Sequence, residues 1–183
     1  EAYAAGQRLF AHNRVQELEE QRRVLPDAEW HLLGPLQGKK VRRGISACEM
    51  YQALGDMKTA QRIARVLEES EDSLEVLLQV NVNPADGRYG LHLEQVADFC
   101  EQIAEWPAIR VSGLMNLAAA DADDSQLHRD FASMRTCLQA LQQQNLLADD
   151  AVLSMGMSND FEIAIAEGAN LVRVGRDIFP ATR

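Results

Sequence analysis

The sequence predicts an α/β fold: a parallel sheet wrapped by helices. Short apolar runs alternate along the 183 residues with segments whose apolar side chains recur every three to four positions, the patterns of a buried strand and of a helix with one inward face. Strands alternating with helices of this length imply right-handed crossovers and a parallel sheet. A hydrophobic content of 46% over 183 residues suits a single sizeable core, so one domain spanning residues 1–183 is expected.

Taken in order, residues 1–6 read as the end of a helix closed by Gly6. Leu9 to His12 is a candidate strand, and Val15, Leu18 and Leu25 mark one face of a helix that stops before Pro26. Trp30 to Leu33 is the next strand, with Gly34-Pro35 as a turn. Lys39, Lys40, Arg42 and Arg43 form a small basic cluster that reads as a solvated loop. Met50 to Leu54 is a short strand in an ambiguous stretch, followed by a helix with Ala60, Ile63, Ala64 and Leu67 inward.

Leu74 to Val82 is a nearly continuous apolar run, as expected of a strand buried between helices. Residues 83–87 then make a turn. Leu93, Val96, Ala97, Cys100 and Ile103 define a helix ended by Pro107, and Ile109 to Leu117 is another strand. After a polar loop at 121–125, Leu127, Phe131, Met134, Leu138 and Leu141 give a core-facing helical stripe.

Residues 153–179 carry the chemistry. Ala151 to Met155 reads as a strand, Gly156 permits torsions that bring main-chain N–H groups close to a ligand, and a helix follows over 159–167. Phe161, Ala164, Ile165 and Gly168 share one face of it, with Asn159 and Glu162 as its capping-box pair. A helix start preceded by Gly156 and Ser158 offers unpaired N–H groups and partial positive charge, which is what holding a phosphate requires. Leu171 to Val174 is the last strand, and Gly175 makes a second turn flanked by Arg173 and Arg176.

The runs number about seven. A closed (β/α)8 barrel of the TIM type needs eight strands and typically about 250 residues. The expected fold is therefore that barrel without its first strand, N-terminally incomplete: a segment precedes residue 1 in a longer form, or the protein is a shortened one.

Composition narrows the functional classes. A formal net charge of −10 disfavours nucleic acid, which requires clustered Lys and Arg. No run approaches 18 consecutive apolar residues, and no basic segment leads into an apolar one, so neither a membrane span nor a secretory signal is expected. Cys48, Cys100 and Cys137 are widely spaced without a C-x-x-C pair, which suits a reducing cytoplasm better than a disulfide framework. His12, His31, His92 and His128 lack metal-ligand spacing, so no metal is expected. The Gly156-x-Ser158 turn lacks the second Gly of a nucleophile elbow.

Several blocks carry a resemblance. Leu153-Ser-Met-Gly-Met-Ser-x-Asp160, Glu162-x-Ala-Ile-x-x-Gly168 and Val172-Arg-Val-Gly-x-x-Ile-Phe179 resemble the C-terminal signature of the pyridoxal 5′-phosphate (PLP) homeostasis protein family. Upstream, Glu1-Ala-Tyr-x-x-Gly-Gln-Arg8, Asn13-Arg-Val-Gln-Glu17, Trp30-His-x-x-Gly-Pro-Leu-Gln37, Val76-Leu-Leu-Gln-Val-Asn-Val82 and Ser112-Gly-Leu-Met115 are similar to that family's blocks in its order. Together they cover nearly the whole chain.

The resemblance implies an alanine racemase N-terminal-domain-like barrel with PLP as cofactor. It also implies intracellular buffering or delivery of PLP without catalysis, with PLP-dependent apoenzymes as recipients and a monomer or weak homo-oligomer. The cofactor-binding positions it implies are Asn13, Met157, Ser158, Arg173, Gly175 and Arg176: Ser158 and Gly175 at the phosphate, Arg173 at the pyridine nitrogen, Asn13 lining the pocket. Ala11 and His12 depart from the family's usual Gly-Glu, and Arg176 stands where a small or hydroxyl residue is usual. The family's PLP-attaching Lys would lie before residue 1. Lys39, Lys40 and Lys58 do not sit at the end of an apolar strand, so covalent attachment is not expected. Two alternatives stay open: a barrel enzyme acting on a small phosphorylated substrate, with Asp160, Asp177 or His31 as acid or base, and a remnant of a PLP-dependent amino-acid racemase.

Overall fold

The computed structural model describes residues 1–83 and 87–179. Seven strands form one parallel sheet in chain order: β1 (Leu9–His12), β2 (Glu29–Leu32), β3 (Met50–Leu54), β4 (Leu74–Val80), β5 (Ile109–Asn116), β6 (Val152–Met157) and β7 (Leu171–Arg173). Between them run α1 (Val15–Val24), α2 (Val41–Ile45), α3 (Met57–Ser70), α4 (Val96–Ile103), α5 (Asp124–Gln143) and α6 (Phe161–Ala166). Residues 84–86 of the expected 83–87 turn lie outside the described residues.

The sheet is strongly curled. Ser154 on β6 donates a hydrogen bond to Gln52 on β3 at 2.8 Å, whereas strands three apart in a flat sheet would stand roughly 14 Å from one another. Only a sheet wrapped around a common interior brings these side chains together. This is the (β/α)8-type barrel expected from the sequence, with β1 and β7 each paired to a single neighbour among the described residues.

Helical periodicity is realised as packing against that sheet. Ala60, Ile63, Ala64 and Leu67 of α3, and Leu127, Phe131, Met134, Leu138 and Leu141 of α5, are buried. Val76, Leu77 and Leu78 of β4 are fully inaccessible, as a strand covered on both faces demands. Two helix starts are capped: Asp56 Oδ1 accepts from the Thr59 N–H and Asp123 Oδ1 from the Gln126 N–H, each at 2.8 Å, satisfying donors the helix leaves without partners. The N-terminal helical turn closes at Gly6, with φ +104°, as expected.

Several expectations require correction. The basic stretch is not a loop: Gly38–Lys40 is a 3-10 turn leading into α2, whose Val41, Gly44 and Ile45 are buried. Five residues are too few for a periodic stripe to announce. Arg42 pairs with Glu69 and Arg43 with Glu19; exposed pairs of this kind contribute about 0–1 kcal/mol. The N-cap position of the last helix is Asp160, not Asn159, with no side-chain cap bond, and the helix runs only over Phe161–Ala166. Asp160 Oδ1 accepts from the Met157 N–H behind it at 2.5 Å, so no capping box forms. Ile165, expected inward beside Ala164, is 53% exposed, because six residues give α6 too little length to bury a broad stripe. Strands β4, β5 and β7 end one or two residues earlier than predicted, and β6 continues to Met157.

Candidate functional site

The C-terminal ends of parallel barrel strands gather the residues singled out in the sequence. Met157 closes β6 and Arg173 closes β7, and the two are register partners. The turns that follow, 158–160 and 174–178, therefore stand side by side, about one strand spacing apart. Ser158 is half-buried, and its hydroxyl enters no hydrogen bond among the described residues. Gly175 and Arg176 are exposed. The Gly175 carbonyl accepts from the N–H groups of Ile178 and Phe179 at 3.0 and 2.7 Å, which fixes the second turn.

The two glycines of these turns do different work. Gly156 has φ +92°, and a Cβ there would lie 2.6 Å from Ala164 Cβ and 2.9 Å from Phe161 Cα. Its missing side chain makes room for α6 rather than for a ligand, which revises the sequence expectation. Beside Gly175, a Cβ would meet nothing within 4 Å, leaving space for an approaching group.

Asn13 follows β1, at the other edge of the sheet, and is exposed. Its turn rests on Gly34, where a Cβ would sit 1.9 Å from the Asn13 carbonyl oxygen. Among the described residues no hydrogen bond joins Asn13 to the 157–176 group.

Arg173 is tied inward. Its Nη1 donates to Ser154 Oγ at 2.6 Å and its Nη2 to the Asn116 carbonyl at 2.7 Å. Both acceptors are neutral. Burial pushes the guanidinium pKa down to about 10, with nearby Asp160 opposing the shift, so it stays charged at neutral pH. Behind Ser154 the polar chain continues through Gln52 to His31, 2.7 Å from Gln52 Nε2, and on to Glu29 at 3.0 Å.

Sequence reasoning missed Gln52, Ser154 and Asn116. The signal for Gln52 and Ser154 was present as single polar residues inside otherwise apolar strands, where a buried polar group must find a partner, whereas Asn116 acts through its backbone carbonyl, which no residue type announces. Of the acid–base candidates, Asp160 is engaged by the Met157 N–H, His31 is buried between Gln52 and Glu29, and Asp177 is exposed. The rim over β3 to β5 is braced: the Tyr89 hydroxyl donates to Asp56 at 2.7 Å and accepts from the Gly55 N–H at 3.0 Å, while Arg88 donates to the Leu117 carbonyl at 2.7 Å.

Residues 1–182 match the model of the alanine racemase N-terminal domain. The chain is 36% identical over 183 residues to the pyridoxal phosphate homeostasis protein of Pseudomonas aeruginosa, covering 99% of this chain and 77% of that protein. The protein of the same name from Schizosaccharomyces pombe is 33% identical over 183 residues, with 98% and 76% covered. Among solved structures, PipY of Synechococcus elongatus with PLP bound is similar at TM-score 0.87 and 36% identity, covering 97% of this chain and 84% of that one. An alanine racemase of Clostridium difficile shares the fold at TM-score 0.82 and 15% identity, covering 98% and 47%. With a barrel of this topology, and relatives this similar over nearly its whole length, the chain belongs to the pyridoxal phosphate homeostasis protein family.

Proposed function

We propose that this chain binds PLP and serves intracellular PLP homeostasis by buffering or delivering the cofactor, without catalysing a reaction of its own. The observation that carries the reading is the juxtaposition, on adjacent strand ends, of the Ser158 turn and the open space beside Gly175 with a charged, inwardly anchored Arg173. The residues fit the cofactor: Ser158, the Met157–Ser158 turn and Gly175 hold the phosphate, Arg173 donates to the ring nitrogen, Arg176 adds charge at the rim and Asn13 lines the far wall.

Bound PLP supplies an aldehyde that reacts with amines and a ring that accepts electrons. A guanidinium donor leaves the ring nitrogen unprotonated and weakens that sink, which favours carriage over broad catalysis. Residues 1–183 act as one PLP-binding unit, a monomer or weak homo-oligomer, handing PLP to PLP-dependent apoenzymes. A cytoplasmic setting agrees with three free cysteines and, among the described residues, no helix long and apolar enough to cross a membrane.

Calorimetric titration of the protein with PLP and with inorganic phosphate tests the reading. Saturable one-to-one PLP binding, competed by phosphate, is the expected result. An absence of PLP binding by folded protein overturns it.

A further inference from the structure

The hydrogen bonds behind Arg173 have a single direction. Arg173 Nη1–H donates to Ser154 Oγ, and the Ser154 hydroxyl donates to Gln52 Oε1. That fixes the Gln52 amide: with its oxygen toward Ser154, its Nε2–H points at His31 Nδ1, 2.7 Å away. His31 Nδ1 must then accept, so the ring carries its proton on Nε2, which faces the Glu29 carboxylate at 3.0 Å. The chain begins at a cation beside the strand ends and terminates at an anion at the opposite end of the barrel, where Glu29 opens β2. Gln52, His31 and Ser154 are all buried, and each is satisfied only by its neighbours in the series.

We propose that Gln52 is a positioning residue for Arg173, acting through Ser154, and that His31 held as its Nε2–H tautomer fixes the sense of the whole chain. In a low-dielectric interior, linked hydrogen bonds polarise one another. The Glu29 carboxylate is therefore felt at Arg173 through three neutral side chains, and the guanidinium is fixed in the orientation its ring-nitrogen role needs without, among the described residues, a carboxylate hydrogen-bonded to it. Gln52 is central because its acceptor and donor sit on one planar amide long enough to reach Ser154 on β6 from one side and His31 on β2 from the other. A hydroxyl is too short to span β3 to β6, and an apolar residue ends the chain.

The inference rests on the PLP-binding reading for its ligand arm, and its second arm needs no ligand. Side-chain 15N NMR of the ligand-free protein is expected to show His31 with Nδ1 unprotonated and Nε2 protonated. Gln52→Leu is expected to remove that preference and to weaken PLP binding roughly five- to tenfold, the scale of one stranded buried partner, while phosphate affinity stays within about twofold. Gln52→Glu keeps the acceptor for Ser154 and should retain PLP affinity, but it obliges His31 Nδ1 to carry a proton. Ser154→Ala serves as the second break in the chain and should lower PLP affinity like Gln52→Leu; cooperative thermal unfolding confirms that each variant is folded. A wild-type His31 protonated on Nδ1 overturns the proposal, as does a folded Gln52→Leu with PLP affinity unchanged. If the wild type fails to bind PLP, the functional reading falls, while the tautomer measurement still decides whether the directed chain exists.

Discussion

Replacing Gly156 by alanine should destabilise the barrel, whereas the same change at Gly175 should leave it standing and damage only ligand binding. At Gly156 two costs combine. Backbone torsions at φ +92° are costly for a residue with a side chain, about 1–3 kcal/mol. The new methyl group would also lie 2.6 Å from Ala164 Cβ and 2.9 Å from Phe161 Cα, and such overpacking costs about 1–3 kcal/mol. The sum, about 2–6 kcal/mol, is a large share of a typical stability of about 5–15 kcal/mol and corresponds to a fall in Tm of roughly 5–20 °C for a chain of this length. At Gly175 the methyl meets nothing within 4 Å and φ is not positive, so stability should stay within about 0.5 kcal/mol. That methyl would instead occupy the space proposed for the phosphate and lower PLP affinity about tenfold or more. Differential scanning calorimetry and PLP titration of both variants read the two effects. A Gly156→Ala protein melting within 2 °C of wild type would refute the packing role, and a Gly175→Ala protein with wild-type PLP affinity would remove Gly175 from the site.

Ser158→Ala should weaken PLP and phosphate alike by roughly tenfold or more, since a hydrogen bond to a charged group contributes about 1.5–3 kcal/mol; unchanged titrations of both ligands would displace the phosphate site. Arg173→Leu should weaken PLP while sparing phosphate, and equal losses for the two ligands would contradict its assignment to the ring. Borohydride treatment of protein mixed with PLP should leave Lys39, Lys40 and Lys58 without stoichiometric labelling, because the three lie on a 3-10 turn and the first turn of α3 rather than at strand ends; one fully modified Lys, found by mass spectrometry, would overturn this. Burial pushes the thiols of Cys48 and Cys100 up to about 12 and of Cys137 to about 11, from an ordinary value of 9.0. Below about pH 9 the thiols are protonated in both states and their burial contributes fully; above it the unfolded chain ionises first, so stability should fall as pH rises towards 11–12. Urea midpoints measured from neutral pH upward check the sign, and a rising midpoint above pH 9 would contradict it.

The strand and helix alternation was legible because burial on both faces, as in β4, and on one face, as in α3 and α5, leaves periods in the sequence. The paired turns after β6 and β7 were legible for a similar local reason: Gly, Ser and Arg cluster within a few residues of each strand end. Glu162 three residues after Asn159 points to Asn159 as the cap, yet the helix starts one residue later and Asp160 uses its carboxylate backwards on Met157, an arrangement set by the strand–turn geometry and not by spacing. Val41–Ile45 was too short to show a period. Gln52 is one polar residue in a short strand; its meaning comes from Ser154, which local sequence cannot join to it because only the curl of the sheet does so.

The Gln52–Ser154 bond spans 102 residues of chain, and this has a consequence for the order of folding. Contacts so distant in sequence carry a loop-closure penalty that must be overcome before they form, and they tend to be made late. The β5–β7 portion carries Arg173 and both of its direct acceptors, Ser154 and Asn116, but the acceptor that sets Ser154 arrives from the other side of the barrel. Full affinity for a ring nitrogen should therefore emerge only with the final closure of the sheet, and a refolding chain should hold the cofactor more weakly in its compact early forms.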